Sequence, residues 1–438
     1  MRMTKPLTLR ERIALGQAQR KRLRRADHAG WQPKLRRADP LALLADSMRG
    51  RIPALISIKY DRMAASPFGF FRGAVPVMAC DLSLGPNTGI FTQICGDAHV
   101  RNLGAFAAPD GRLVFDINDF DETIRGPFEW DVKRMATSIL LAGREAGAKT
   151  ALCRDATRAF LKSYRTAMHA FAHMPVLQLA HFQVHRLSAF EPVSQILRLA
   201  ERATPLHNLE ALTLPLRNAT HQRIFISNPP VLTRVHGNIA RAVLRSLKPY
   251  AESLLPERRH FLAQYSPLNV AFKVVGTGSV GLRDYCIYLQ GNGPNDPLFL
   301  QVKEEPRAAY AQYLSKPSTS QSHQGRRVVE GQRAMQFQSD SFLGWTTIQG
   351  RDFLVRQLND HKAAVELDEL KADALLEYAT LCGETLARGH ARAGDPGVIA
   401  GYIGTSARFD AAIARFADEY ATQTESDWHM LRQAASRK

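Results

Sequence analysis

The sequence predicts an α+β protein in which helical segments precede and follow a small antiparallel sheet. Residues 129–172 carry apolar side chains near the 3.6-residue period of a helix, and the pattern stays mostly helical over 176–260. From about residue 265, short apolar or alternating runs separated by glycine-rich breaks are typical of antiparallel strands. Helical patterns return over 367–391 and 406–435. We therefore expect a large helical lobe built from both ends of the chain and a small sheet lobe between them.

Local signals predict the individual elements. Asp39-Pro40 precedes a helix-like stretch over 41–48, whereas the aromatic segment 67–73, which contains Pro and two Gly residues, is expected to be a turn. A helix is expected near 325–338. Strands are expected at 271–275, 283–289, 298–302 and 353–358.

Length and composition indicate two or three packed units in a globular chain. The 438 residues are 45% hydrophobic and 23% charged, which excludes a disordered or fibrous protein. The predicted segments are a basic N-terminal arm (1–40), a helical lobe (41–262), a small sheet lobe (263–360) and C-terminal helices that complete the helical lobe (361–438). We expect a cytoplasmic protein without a transmembrane segment, because no apolar run is long enough to span a bilayer and no signal-peptide pattern is present.

Positive charge is concentrated at the N-terminus. The net charge is +17, and residues 1–37 hold 12 Lys and Arg residues against only Glu11 and Asp27. A segment of this kind attracts polyanions such as nucleic acid, an acidic partner or anionic lipid. The alternative is a solvated basic helix that serves solubility.

Several common functional classes lack their motifs. The five cysteines form no C-x-x-C pair, so neither a disulfide framework nor a zinc ribbon is expected. The pairs His169/His173 and His181/His185 have helical spacing, but no carboxylate or cysteine completes a metal site. Neither G-x-S-x-G nor G-x-x-x-x-G-K-[ST] occurs, which leaves hydrolase and P-loop functions without support.

One polar constellation carries the strongest functional signal. Asp97 and Asn102 lie five positions apart in the run Gly96-Asp97-Ala98-His99-Val100-Arg101-Asn102, and Asp119 follows a short apolar strand at 113–115. Asp97 is placed to orient a hydroxyl group, while Asn102 and Asp119 supply the oxygen ligands that a divalent metal such as Mg²⁺ prefers. The alternative is a polar turn whose acidic residues are solvated or cap helices.

A glycine-rich loop provides the second constellation. The run 276–281 matches G-x-G-x-x-G and is followed by a strand-like segment rather than by the helix of a dinucleotide site. This order favours a loop that covers nucleotide phosphates, with Lys303 on a later strand neutralising the α- and β-phosphates. The alternative is a glycine hairpin with a surface lysine. The nucleotide-binding candidates are Gly276, Gly278, Ser279, Gly281 and Lys303.

A glutamate on the next predicted helix is a candidate partner for this lysine. Glu330 is placed to form the ion pair that holds Lys303 toward phosphate, with Glu304 and Glu305 as rivals. The alternative is a solvated helix residue.

These motifs resemble those of a known superfamily. Gly96-Asp97-Ala98-His99-x-x-Asn102 resembles the G-D-x-H-x-x-N catalytic loop of the aminoglycoside and choline phosphotransferases, which have a protein-kinase-like fold. The resemblance implies that Asp97 is the catalytic base, that Asn102 and Asp119 bind magnesium, and that Asp131 anchors the catalytic loop from a helix. From Ser66 through Asp395 the chain also resembles an uncharacterised bacterial family, domain of unknown function 2252, for which no substrate is assigned.

The chain departs from that superfamily in two respects. Cys95 stands where the phosphotransferases usually have a histidine before Gly-Asp, so one loop-bracing hydrogen bond is expected to be missing. The catalytic loop also precedes the glycine loop and Lys303, whereas the usual order is the reverse. Because the segment 386–395 resembles the one that normally leads into the catalytic loop, we expect a circularly permuted, two-lobed kinase-like fold.

The resemblance implies an ATP- and Mg²⁺-dependent phosphotransferase that acts on a hydroxyl group of a small-molecule or protein acceptor. Two alternatives stay open. One is AMP transfer on the same fold, because it needs the same metal and phosphate cradle. The other is a non-catalytic regulatory protein that binds a nucleotide or, through residues 1–37, nucleic acid.

Overall fold

The computed structural model shows an α+β protein, as the sequence predicts. It describes residues 5–108, 112–182, 198, 200, 204–216, 223–274, 276–314, 322–337, 339–358, 363–364 and 373–436. The predicted His181/His185 pair lies partly outside these residues, as does the C-terminal end of the strand predicted at 271–275.

The helices and strands are numbered in chain order. The helices are α1 (Leu9–Ala18), α2 (Pro40–Ser47), α3 (Pro53–Ala64), α4 (Pro67–Gly73), α5 (Val75–Ser83), α6 (Phe128–Glu145), α7 (Thr150–His173), α8 (Val176–His181), α9 (Pro205–Leu212), α10 (Gly237–Arg245), α11 (Leu247–Ser253), α12 (Pro256–Leu262), α13 (Gln324–Met335), α14 (Asp373–Ala393), α15 (Pro396–Ile403) and α16 (Arg408–Ala435). The strands are β1 (Phe91–Ile94), β2 (Leu103–Ala107), β3 (Leu113–Ile117), β4 (Ile124–Pro127), β5 (Thr213–Pro215), β6 (Arg223–Phe225), β7 (Leu232–Arg234), β8 (Ser266–Lys273), β9 (Asp284–Gln290), β10 (Pro297–Glu304), β11 (Gly344–Ile348), β12 (Arg351–Gln357) and β13 (Ala363–Ala364).

A six-stranded sheet forms the centre of the sheet-rich part. Its order is β11-β12-β10-β9-β8-β7, and every neighbouring pair is antiparallel. Every residue of β10 is buried, and five of its eight residues are apolar. In this strand Lys303 lies opposite Leu354 of β12 and Asp284 of β9. The sheet therefore holds a lysine side chain at a fixed position in its central strand.

One hydrophobic core joins helices from the two ends of the sequence. It includes Phe160 and Leu161 of α7, Leu375 and Leu386 of α14, and Ile413 of α16. The hydroxyl group of Ser163 on α7 donates to the backbone oxygen of Thr380 on α14 at 2.7 Å. The elements around 91–172 and those after 373 thus pack as one body, although the sheet separates them in sequence.

Helix α4 corrects the turn expected at 67–73. Pro67 occupies the first turn, and the Ser66 hydroxyl group caps the helix by accepting a hydrogen bond from the Gly69 backbone N–H at 2.9 Å. Phe68, Phe70 and Phe71 are buried. The segment has only seven residues, too few for a helical period to stand out against its Pro and Gly content.

The basic N-terminal segment is folded onto the C-terminal helices. Helix α1 lies so close to α15 that a Cβ atom at Gly16 would be 1.9 Å from the Val398 oxygen. The Arg25 guanidinium donates to the Ile403 oxygen at 2.9 Å, and Arg36 pairs with the buried Asp427 at 2.7 Å. Some of the positively charged side chains of this segment therefore form contacts within the protein. In the described part of the chain, no helix combines the length and apolar character that a bilayer crossing requires.

Candidate active site

A cleft of about 600 Å³ brings most of the predicted site residues together. The sheet, the glycine-rich loop, the loop before β2 and the loop after β3 all contribute to its lining. The predicted residues among those lining it are Asp97, Asn102, Asp119, Gly276, Gly278, Ser279 and Lys303. Gly281 and Glu330 are not among the lining residues. Asp97 and Lys303, more than 200 positions apart in sequence, thus face one space.

Asp131 fixes the loop that carries Asp97. The backbone N–H groups of Cys95 and Gly96 donate to the two carboxylate oxygens of Asp131, at 2.8 and 3.0 Å. Gly96 has φ +79°, and a Cβ atom there would lie 2.2 Å from the Glu122 oxygen, so only glycine fits. The contact expected of Asp131 is confirmed, and it holds the loop rigidly at the end of β1.

Arg134 occupies one carboxylate oxygen of Asp97. The Nε and Nη2 atoms of this fully buried arginine donate to Asp97 Oδ1 at 2.8 and 2.5 Å. The other oxygen, Oδ2, lies 3.6 Å from His99 Nε2, too far for a hydrogen bond. Burial lowers the pKa of His99 to about 3, so its ring is neutral. Asp97 therefore keeps Oδ2 available while Arg134 fixes its orientation.

Asn102 joins the loop before β2 to the loop after β3. Its side-chain Nδ2 atom donates to the backbone oxygens of Asp97 and Asp119, at 2.9 and 3.0 Å. Both side-chain donors are thereby used, which leaves Oδ1 as the atom that can serve a ligand. The Asp119 side chain is 46% exposed. Sequence reasoning paired these two residues, and the structure places them side by side.

The pair Asn102 and Asp119 fits a Mg²⁺ ion that is shared with a phosphate-bearing ligand. Amide and carboxylate oxygens are hard donors, and Mg²⁺ usually takes one or two carboxylates and completes its shell with water and phosphate oxygens. Among the described residues, no group of three His, Cys, Asp or Glu side chains is placed to hold a metal ion. The donor set thus fits a metal held jointly by protein and ligand.

Lys303 pairs with Asp121, a residue that the sequence analysis did not assign. Its ammonium group is in direct contact with the Asp121 carboxylate and lies 3.8 Å from Asp119 Oδ1. Burial alone would lower the pKa of Lys303, but the two carboxylates outweigh burial and raise it, so the lysine is charged. Ser279 donates to the same Asp121 oxygen at 3.1 Å. Asp121 therefore connects Lys303 to the glycine-rich loop.

The ion pair expected between Glu330 and Lys303 is not formed. Glu330 lies 42% exposed on α13 and pairs with Arg326 one turn earlier, at 2.6 Å. The inward face of this helix instead presents Arg327, which donates to the oxygens of Thr123 and Asp121. Arg327 is buried against the loop after β3, whereas Glu330, three residues later, stays part-exposed and pairs with Arg326.

The rival glutamates have other surroundings. Glu304 pairs with Arg283 and Arg351. Glu305 is buried, and neither of its carboxyl oxygens has a hydrogen-bond partner among the described residues. Burial raises the pKa of Glu305 well above its ordinary value, which favours the neutral acid. Neither residue replaces Asp121 as the partner of Lys303.

Helix α3 and the two residues before it hold the glycine-rich loop from outside the sheet. Lys59 Nζ donates to the Gly278 oxygen at 2.7 Å, and Arg51 Nη1 to the Val280 oxygen at 2.6 Å. The Ile52 N–H donates to the oxygen of Gly281, which has φ +88° and therefore needs to be glycine. Burial lowers the pKa of Lys59 to about 7. No local pattern in the sequence linked this segment to the loop.

Positive charge dominates the cleft. The described residues that line it include nine Lys and Arg residues but five Asp and Glu residues. Low-dielectric walls with an excess of one charge raise the local concentration of ligands of the opposite charge. Gly276 and Gly278 have no atom within 4 Å of a Cβ position, so the loop leaves space beside its backbone. The cleft is thus suited to a ligand with several negative charges.

Comparison with known families places the chain in one of them. The model of an uncharacterised family conserved in bacteria, DUF2252, matches residues 51–434. The chain belongs to the DUF2252 family. The span that matches the DUF2252 model includes every candidate site residue named above, whereas helix α1 and the arginines that dock it precede the span. No curated protein and no solved structure matches the chain.

Proposed function

We propose that this DUF2252 protein is an ATP- and Mg²⁺-dependent phosphotransferase that acts on a hydroxyl group. The observation that carries the proposal is the convergence of Asp97, Asn102, Asp119 and Lys303 with the glycine-rich loop on one cleft. Each residue type has a separate task in phosphoryl transfer, and the reaction depends on positioning and charge stabilisation more than on covalent chemistry. A polar turn or a glycine hairpin would not require these groups to meet.

A circularly permuted kinase-like fold accounts for the order of the motifs. In this chain the loop of Asp97 precedes the glycine-rich loop, yet the two face each other across the cleft. The C-terminal helix α14 supports the permutation, because the Thr92 hydroxyl group donates to the backbone oxygen of His390 at 3.2 Å. The segment that resembles the approach to a kinase catalytic loop therefore lies directly beside β1.

The nucleotide phosphates would lie between the glycine-rich loop and Lys303. The open space beside Gly276 and Gly278 allows close approach to the backbone, and Lys303 provides a charged ammonium group. Asn102 Oδ1 and the Asp119 carboxylate would hold Mg²⁺, which when bound neutralises charge on the phosphate oxygens. Asp121 holds the Lys303 ammonium group close to Asp119.

Asp97 would orient the acceptor. Its Oδ2 atom is free to accept a hydrogen bond from a hydroxyl group, which points the oxygen of that group at the phosphorus and receives its proton as the new bond forms. Arg134 holds Oδ1 and so fixes the direction of Oδ2. The neutral His99 beside it adds no charge.

Isotope transfer tests the proposal. The purified protein is incubated with Mg²⁺ and ATP labelled at the γ- or the α-phosphate, together with a mixture of hydroxylated metabolites and proteins. We expect the γ-label to reach an acceptor, and Asp97→Asn to lower the rate at least about 100-fold, the usual contribution of a general base. Asp155→Asn, an exposed substitution on α7, should leave the rate unchanged.

Other results contradict phosphotransfer. Transfer of the α-label would show AMP transfer instead. Nucleotide binding without transfer of either label would indicate a regulatory protein, and full activity in Asp97→Asn would remove Asp97 from its assigned role.

A further inference from the structure

We propose that the acceptor is a small anionic molecule, a hydroxylated compound that carries a carboxylate or phosphate group recognised by Arg72 and Arg101. This inference rests on the proposed function and adds the chemical class of the acceptor. Both arginines line the cleft together with Asp97, the residue expected to orient the acceptor hydroxyl group. The anionic group would therefore bind close to the reacting hydroxyl.

Arg72 is an arginine without a counterion. It lies in the last turn of α4, and its guanidinium forms no hydrogen bond or ion pair with the described residues. Its Nε atom is buried. Taking part of a charged group out of water without a partner costs free energy, whereas Arg36 and Arg134 have carboxylate partners. An anion bound in the cleft would supply the missing partner.

A second arginine strengthens the site. Arg101 follows Asp97 by four positions in the same loop. Both arginines line the same cleft. Burial lowers the pKa of Arg72, and the positive charge of Arg101 lowers it further. Two guanidinium groups around one space match carboxylate and phosphate oxygens, because each presents several N–H donors in a plane.

Three other cations of the cleft contact the nucleotide side. Lys303 is paired with Asp121, while Lys59 and Arg51 donate to the glycine-rich loop. Arg72 forms no hydrogen bond or ion pair with the described residues of the glycine-rich loop and lines the cleft together with Asp97. The nucleotide and the acceptor thus have separate positive groups.

The size of the cleft favours a small acceptor over a protein segment. Its volume is about 600 Å³, within the range of small-molecule sites, and a nucleotide would fill a large share of that space. Helix α3 and Arg51 just before it cover the glycine-rich loop from outside. The remaining space next to Arg72 suits a compound of a few carbon atoms.

Four probes with one skeleton test the charge preference. They are glycerol 3-phosphate, glycerate, glycerol and 3-amino-1,2-propanediol, which share a three-carbon hydroxylated chain and differ in charge. Each is titrated calorimetrically into the full chain with Mg²⁺ and a saturating non-hydrolysable ATP analogue, so that phosphate cannot occupy the nucleotide positions. We expect one or both anions to bind at least about tenfold more tightly than glycerol, as charged hydrogen bonds predict, and the amino diol to bind no better than glycerol.

Two substitutions assign the preference to Arg72. Arg72→Gln should remove the preference for anions, and Arg72→Lys, which keeps the charge, should retain part of it. Arg158→Gln removes the same charge from an exposed position of α7 and should retain all of it. Thermal melting confirms that each variant is folded before titration.

The outcomes separate this inference from the proposed function. Three results would overturn the acceptor assignment alone, provided that the ATP analogue binds normally. They are no preference for anions, tighter binding of the amino diol than of the anions, and an unchanged preference in Arg72→Gln. Failure of the wild-type protein to bind the ATP analogue would overturn the proposed function.

Discussion

The Nε2 atom of His390 lies 3.2 Å from the Oδ2 atom of Asp131, a residue 259 positions earlier in the chain. The other ring nitrogen of His390 lies 2.9 Å from the Tyr164 hydroxyl group. Both residues of the pair are fully buried, and Asp131 is the carboxylate that holds the backbone of the Asp97 loop. Cys95 stands before Gly96, where the phosphotransferases that this loop resembles usually have a bracing histidine. Helix α14 supplies a histidine to this region from the far end of the chain.

Replacing His390 should destabilise the protein. His390→Phe keeps an aromatic ring but removes both hydrogen bonds, one of them to a buried carboxylate. We expect the free energy of unfolding to fall by about 2 kcal/mol, the usual value for a hydrogen bond to a charged group. Urea denaturation measures the change, and His207→Phe, at an exposed position of α9, is the control. An equal effect of both substitutions would show that His390 does not brace the loop.

Arg134 and Asp97 should be energetically coupled. Arg134→Met leaves the Asp97 carboxylate without its main partner, and we expect a loss of about 3 kcal/mol in the free energy of unfolding. Asp97→Asn removes the charge that Arg134 balances. If the two side chains act as a unit, the loss of unfolding free energy in the double variant is smaller than the sum of the two single losses. We expect the difference to be about 1–3 kcal/mol. Additive losses in urea denaturation would show that the ion pair does not fix Asp97.

Arg36 should contribute more to stability than its neighbour Arg37. Arg36 pairs with Asp81 and with Asp427, and all three side chains are at least 92% buried. Arg36→Met would leave two buried carboxylates without a cation, so we expect a loss of about 3–5 kcal/mol. Arg37 is exposed, and Arg37→Met should change stability by less than about 0.5 kcal/mol. Similar melting temperatures for the two variants would contradict the docking of this segment.

Lys59 should make stability depend on pH. Burial lowers its pKa from an ordinary value of 10.5 to about 7. Between these two values the unfolded chain binds a proton that the folded protein does not, so the Lys59 contribution to stability rises with pH, by up to about 1.4 kcal/mol per pH unit. Below pH 7 both states carry the proton and the contribution is constant.

The comparison of wild type with Lys59→Met isolates this effect. We expect the stability of wild type relative to the variant to increase between pH 7 and pH 10 in denaturation experiments. Lys162→Met, at an exposed position of α7, should show no such increase relative to wild type. A pH-independent difference between wild type and Lys59→Met would show that Lys59 is not buried in solution.

The sequence predicted those features whose signals are local. Strands β9, β10 and β12 lie within two residues of the predicted bounds, because apolar runs between glycine-rich breaks report burial in a sheet. The spacing of Asp97 and Asn102 on one loop also predicted their proximity. Two residues five positions apart on one loop cannot lie far from each other, so Asp97 and Asn102 were bound to be close.

Features that depend on distant contacts were not predictable from local patterns. The position of Lys59 under the glycine-rich loop depends on how α3 packs against a segment more than 200 residues away. Glu330 was assigned because its predicted helix follows the Lys303 strand, but the packing of α13 brings Arg327 to the loop after β3 and leaves Glu330 paired with Arg326. Asp121 is a second acidic residue only two positions after Asp119. This local repetition could have been used to predict a role for Asp121 in the site.

Calorimetric titration with ATP, with and without Mg²⁺, tests the central claim of a nucleotide site at Lys303. We expect Mg²⁺-dependent binding that weakens at least about tenfold in Lys303→Ala, the loss expected for a charged contact, while Lys162→Ala binds as wild type does. Thermal melting checks that each variant folds, and bound ATP should raise the melting temperature of wild type. No binding by wild type at millimolar ATP, or equal binding by folded Lys303→Ala, would contradict the account.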